Sequence, residues 1–290
     1  MPEGEGGKGA GLREAEALLA RLWRDYVAIT PQAQRIHALL RARGERFRND
    51  HVALRGFDVA PIGLETLERP FLELGWEPAG AYDFPEKHLF GRGYAHPSGA
   101  LPRIFLSELR TGECSRELRA AAALIAARVP RGAAPRELLT RRPSWPPIPV
   151  ELYERLLAES EYAAWVAAFG IRANHFTVHV NDLATFPGLR ELARFLEEQG
   201  IRLNGEGDVV KGSPELLLEQ SSTIADRVPV EFAGGVLREI PSCYYEFARR
   251  YPDPRTGELY QGFVAASASA LFESTDVRHH RAGGAGSPAT

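Results

Sequence analysis

The stretch 49-NDHVALRGF-57 places His51, Ala53 and Arg55 at every second position of a strand-like run. Side chains two apart on a strand share a face, so this segment sets a titratable ring and a fixed cation along one surface. A second stretch, 173-ANHFTVHVND-182, does the same with His175, Thr177 and His179. The patterns downstream of the two stretches also repeat. The first leads into a helical pattern over 62–75 and strand-like runs at 76–84, 87–94 and 102–109. The second leads into a helical pattern over 187–200 and strand-like runs at 215–223, 228–233 with 236–240, and 243–250. His51 stands 24 residues before the helix-closing Gly75, and His175 stands 25 before Gly200. One βαβββ unit is therefore read twice.

The expected fold class is α+β, with duplicated βαβββ modules forming a curved mixed sheet around a central cavity, plus added helices. Apolar residues at three- and four-residue spacings make 12–30 and 31–44 two helices. A helical insert occupies about 115–141 and 150–169, joined by the turn-rich RRPSWPPIP, and is expected to cap the sheet with the N-terminal helices. The chain divides into a helical N-terminal part (11–45), module one (46–110), the insert (111–170) and module two (171–276), all within one catalytic domain over 11–280. Residues 1–10 and 281–290 are rich in glycine and small polar residues and are expected to be disordered.

A chain that is 44% hydrophobic and 25% charged can bury an ordinary core. No run approaches the roughly 18 apolar residues of a membrane span. MPEGEGGKGAG lacks the charged-then-apolar order of a secretory signal, so a cytoplasmic protein is expected. The net charge is −3 and the many arginines are interspersed with acids, which argues against a nucleic-acid surface. Cys114 and Cys243 are far apart and form no CxxC spacing, so neither a disulfide framework nor a zinc ribbon is expected.

If equivalent strands line one cavity, His51 and His175 meet across it. A metal site then lacks only a carboxylate, for which Glu231, Glu239 and Glu246 are candidates. Glu246 is the best of them, because in the aromatic run CYYEFARR an ionised acid is costly unless a cation or metal accompanies it. Its alternative is a pair with Arg249 or Arg250 at an exposed strand end. Two imidazoles and one carboxylate form the facial triad of non-haem iron(II), a donor set that manganese and cobalt also accept. The site keeps a net charge of +1, which suits an anionic chelating substrate. Arg55, on the face of His51, is placed to hold a second carboxylate bidentately, so the substrate would be a dicarboxylate. The alternative for Arg55 is a structural ion pair. His179 reads as an outer or core residue rather than a ligand.

These residues resemble the vicinal-oxygen-chelate superfamily, and CYYEFARR is similar to the last-strand segment of 4-hydroxyphenylpyruvate dioxygenases. The closer resemblance, over most of 15–276, is to the 2-oxoadipate dioxygenase/decarboxylase family. It rests on NDHVALR (49–55), LPRIFLSEL (101–109), NHFT (174–177), IPSCYYEFARR (240–250) and GFVAASASALFEST (262–275). The resemblance implies Fe(II) held by His51, His175 and Glu246, with Arg55 on the substrate carboxylate. The family's substrate-contacting Val-Ser pair falls on Ala266 and Ser267, where the alanine departs from the family form. The implied reaction converts 2-oxoadipate and O2 to 2-hydroxyglutarate and CO2 in lysine breakdown. Its alternatives are a related dioxygenase of an aromatic 2-oxo acid and a metal-free small-molecule-binding module on the same fold.

Overall fold

The computed structural model describes residues 5–264 apart from residue 206. Its centre is the strand β1 (Asn49–Phe57), buried from Asp50 onward as its run of His, Val, Ala and Leu requires. On one side β1 pairs in parallel with β4 (Arg103–Leu109), His51 lying opposite Arg103. On the other it pairs antiparallel with β5 (Ala173–His179), Ala53 lying opposite His175. The strands β2 (Glu77–Phe84) and β3 (Leu89–Ala95) complete one half of the sheet. The other half adds β6 (Lys211–Ser213), β7 (Leu218–Ser222) and β10 (Glu246–Arg250) to β5.

The eight strands curl into a half-barrel in the order β2-β3-β4-β1-β5-β10-β7-β6. Outward from the β1–β5 seam, each half presents the first, fourth, third and second strand of its module. The antiparallel pairing of equivalent strands relates the halves by a local twofold. Each module also places helix between its first two strands, namely α3 (Leu64–Leu67) with α4 (Arg69–Glu73), and α9 (Leu189–Glu198). Gly75 and Gly200 follow these helices in the left-handed region, at φ 97° and 75°, where a side chain would be strained.

Five sequence expectations are corrected. The helix expected over 62–75 is two short ones, because Pro70 lacks the N–H that would continue the first into the second. The run 215–223 opens as a 3₁₀ turn at Pro214–Leu216 and becomes strand only at Leu218, while the short β6 precedes it. The runs 228–233 and 236–240 are β8 (Arg227–Phe232) and β9 (Val236–Pro241), a separate hairpin turned by Ala233–Gly235 and excluded from the main sheet. The last strand starts at Glu246 rather than 243. The first helix, α1 (Glu5–Val27), begins inside the segment expected to be disordered. Once the LREAEALL turns nucleate, each added residue gains one hydrogen bond, so the helix extends back through poor formers.

α1 and α2 (Pro31–Ala42) cover the outer face of the seam. Ala15, Leu18, Leu22 and Tyr26, spaced by three and four, are all buried, and each large apolar side chain contributes about 1.5–3 kcal/mol. Trp23 and Tyr26 pack on Phe176 at ring distances of 5.0 and 5.1 Å, which turns the neighbouring His175 to the inner face. The insert forms α5 (Arg116–Ala126), α6 (Pro135–Thr140), α7 (Val150–Glu159) and α8 (Glu161–Phe169).

α8 is buried on nearly every side and closes one end of the sheet's concave face. Its Tyr162 hydroxyl donates to Ser107 O at 2.8 Å and accepts from Gly56 N at 3.1 Å. Trp165 Nε1 donates to Ser242 O at 2.5 Å. Among the described residues, no helix is long and apolar enough to cross a membrane.

Candidate metal centre

His51, His175 and Glu246 come from the adjacent strands β1, β5 and β10 and converge on the concave face, exposed by only 2, 7 and 1%. Glu246 lies opposite Thr177, two residues beyond His175, which brings its carboxylate between the two rings. His51 Nε2 is 3.3 Å from Glu246 Oε1, and His175 Nε2 is 3.4 Å from Glu246 Oε2. One ligand atom from each of the three lies within 4.8 Å of the others. The exposed-end alternative for Glu246 does not hold. Arg250 turns to Asp50, Arg249 bonds the Pro187 carbonyl, and Glu231 and Glu239 lie on the separate hairpin.

Two register shifts at the seam explain how the histidines are aimed. Between the pairs Asn49–Val178 and Val52–Phe176, β1 holds one extra residue; between Ala53–His175 and Leu54–Ala173, β5 does. Such bulges re-aim side chains, and here they let Asp50 accompany His51 and Asn174 accompany His175. Asp50 Oδ1 is 2.8 Å from His51 Nδ1, and Asn174 Oδ1 is 3.2 Å from His175 Nδ1. Because each oxygen only accepts, both rings carry hydrogen on Nδ1 and turn the Nε2 lone pair to the centre. Thr177 Oγ1 lies 3.1 Å from His51 Nε2.

The two outer partners differ in charge. Asp50 is fully buried and gripped by Arg250, Nε to Oδ2 at 2.7 Å and Nη2 to Oδ1 at 2.8 Å. His179 Nδ1 approaches Asp50 Oδ2 at 3.0 Å, so His179 is an outer residue and joins no metal cluster among the described residues. Burial opposes the Asp50 charge, but Arg250 and the bonds from His179 and His51 hold its carboxyl well below the usual range. Asp50→Asn is expected to weaken metal binding about 10- to 100-fold in chelator competition. It also leaves Arg250 with an uncompensated buried charge, which lowers stability by about 3–5 kcal/mol. Unchanged metal affinity would show that Asp50 serves the core alone.

Burial works against a charge on His51, yet Glu246 and Asp50 outweigh it and raise its pKa. Burial pushes His175 down to about 3, with His51 and Arg55 assisting against Glu246. Burial would raise Glu246, but both rings and the hydrogen bonds from His51 and Gln220 bring it below its ordinary value. Without metal, one proton held between His51 and Glu246 balances the carboxylate. A metal must displace it. Affinity should therefore be flat above the raised His51 pKa and fall by up to about tenfold per pH unit below it, as measured by chelator competition across pH. A pH-independent affinity would contradict this pairing.

The donor set suits a divalent metal: two neutral imidazole nitrogens, each with its other nitrogen occupied, and one buried carboxylate. They wall a cavity that also meets Arg55, Asn174, Gln220, Tyr244, Phe105 and Phe263. Gln220 Nε2 donates to Glu246 Oε1 at 2.7 Å, and Tyr244 stacks on His175 at 4.7 Å. Arg55 lies at the α8 end, where Nη1 meets Glu161 Oε1 at 3.2 Å and the guanidinium faces Tyr162 and Trp165 at 5.0 and 5.3 Å. The structural ion pair and the cavity placement are thus both present. Ala266 and Ser267 lie outside the described residues.

Sequence reading missed Asp50, Asn174, Arg250, Gln220 and Tyr244. The repeat offered a signal for two of them, since a side-chain oxygen precedes each histidine, at Asp50 and Asn174.

A family model described as 2-oxoadipate dioxygenase/decarboxylase matches residues 18–282. The chain belongs to this family. The chloroplastic 2-oxoadipate dioxygenase/decarboxylase of Arabidopsis thaliana is 32% identical over 284 aligned residues, covering 89% of this chain and 76% of the relative. The hydroxyglutarate synthase of Oryza sativa, solved in complex with 2-oxoadipate, is 29% identical with a TM-score of 0.87 over 96% of each chain. A Shewanella frigidimarina structure described as a hydrolase is 45% identical, with a TM-score of 0.80 over 86% of this chain and 97% of that one.

Proposed function

We propose that this protein is an iron(II)-dependent dioxygenase that converts 2-oxoadipate and O2 to 2-hydroxyglutarate and CO2. The observation that carries the reading is a buried His51–His175–Glu246 cluster sharing one cavity with a guanidinium four residues along the same strand, in a chain of this family. These three residues would hold iron(II), which when bound would accept a chelating 2-oxo acid and supply the electrons that activate dioxygen.

The chain's own residues select and orient. Four strand steps separate the His51 and Arg55 Cα atoms by ~13 Å, a span that a six-carbon diacid and the arginine side chain can bridge. Arg55 receives the distal carboxylate, and Glu161 and the Tyr162 and Trp165 rings fix the fork for it. Phe105, Phe263 and Tyr244 form apolar walls that exclude water from the reacting carbons. Gln220 keeps Glu246 turned to the centre, and Asp50 and Asn174 do so for the histidines.

Oxygen uptake by the iron-loaded protein, with products read by NMR, tests the reading on 2-oxoadipate, 2-oxoglutarate and 4-hydroxyphenylpyruvate. Uptake with 2-oxoadipate that yields 2-hydroxyglutarate is expected. Preference for the aromatic acid would transfer the reading to an aromatic 2-oxo acid dioxygenase. Uptake with none of the three, with iron bound, would overturn the substrate assignment.

A further inference from the structure

Asn174 has a second end that holding His175 does not use. The residue is 1% exposed and lines the cavity, and its Oδ1 accepts from His175 Nδ1. Its Nδ2 is buried and has no hydrogen-bond partner among the described residues. A buried amide donor without an acceptor is costly, so it calls for a partner such as a water, an ion or a ligand. The equivalent position in the first module, Asp50, makes the same contact to its histidine but has both oxygens saturated by Arg250, His51 and His179. The two modules therefore share the oxygen that positions a ring and differ in what the rest of the side chain faces.

The seam shows where the donor lies. The β5 bulge places Asn174 between residues paired with Ala53 and Leu54, next along β1 to Arg55. Both Arg55 and Asn174 wall the same cavity. Resting on the proposed reaction, we propose that Asn174 Nδ2 donates to the distal carboxylate of the 2-oxo diacid, beside Arg55, while its Oδ1 keeps His175 aimed at the metal. A guanidinium and a neutral amide together read a carboxylate's two oxygens. An acid that ends in a methyl group would leave the amide unsatisfied.

Anaerobic calorimetry on the manganese(II)-loaded full chain tests this without turnover, using 2-oxoadipate and 2-oxohexanoate, which has the same length but no distal carboxylate. Asn174→Asp keeps an acceptor for His175 and replaces the donor with oxygen. The variant should bind manganese within about threefold of the parent and 2-oxoadipate about 10- to 100-fold more weakly. Its affinity for 2-oxohexanoate should change less than about threefold. Asn174→Ala removes both ends, so manganese affinity should also fall, by about tenfold or more.

Equal weakening of both acids in Asn174→Asp would place the contact at the chelating end and overturn the proposal, as would unchanged binding of 2-oxoadipate. If Asn174→Asp fails to fold, Asn174→Ala decides by the same comparison, since a purely structural role would not erase the preference for the diacid. A parent protein that binds manganese but not 2-oxoadipate would instead refute the substrate reading itself.

Discussion

His175→Ala is expected to abolish retention of the metal and, with it, oxygen consumption, while leaving the protein folded. The loss should exceed the roughly 10- to 100-fold that removal of an outer partner costs, because a ligand itself disappears. The fold should survive because His175 is neutral, with a pKa pressed to about 3, so its removal leaves no buried charge newly unpaired. Glu246 retains His51 at 3.3 Å and the Gln220 amide at 2.7 Å. The stack on Tyr244 is lost, with a cavity penalty of a few kcal/mol. Metal content after reconstitution and desalting, read beside circular dichroism, checks both halves. A variant that keeps stoichiometric metal would remove His175 from the ligand set.

Arg55→Met is expected to spare the metal and cripple the use of the diacid. Truncating one partner of a buried, hydrogen-bonded charge pair costs about 2–5 kcal/mol, equivalent to roughly 30- to several-thousand-fold in kcat/KM. Arg55→Lys should recover only part of this, because a point charge cannot offer a fork to two oxygens. Glu161 would lose its partner in the methionine variant, but at 20% side-chain exposure it can turn towards water, so stability should fall modestly. Kinetics with 2-oxoadipate against 2-oxohexanoate separates anchoring from damage. A loss confined to the diacid supports the assignment, and an equal loss on both acids would make Arg55 structural.

The part of this molecule legible in the sequence is the part governed by short-range period. Alternation placed His51, Ala53 and Arg55 on one face, and the repeat carried His175 to the matching strand. Arg250 is two steps along the inner face from Ala248 and four from Glu246, but its bond to Asp50 spans two hundred residues and exists only because β10 and β1 flank β5. Local pattern holds no trace of such a bond.

The bulges at Asp50 and Asn174 were hidden for a related reason. A strict two-residue period predicts that each points away from its neighbouring histidine, and the extra residue that reverses this is a property of the pairing. The hairpin β8–β9 misled because Val228, Val230 and Phe232 alternate as in a core strand, whereas only Phe232 is buried, against Tyr153. Alternation reports that one face is covered; it does not say by which layer.

Turnover under dioxygen enriched in the heavy isotope tests the central claim most directly, because it follows the oxygen atoms and not merely the appearance of product. Loss of C1 as CO2 turns the former keto carbon of 2-oxoadipate into a carboxylate, and a dioxygenase must supply that carboxylate's new oxygen from O2. The proposed reaction gives 2-hydroxyglutarate with heavy oxygen at that carboxylate and CO2 released in equal amount. A product whose new carboxylate holds only solvent oxygen, or CO2 released without oxygen uptake, would contradict it.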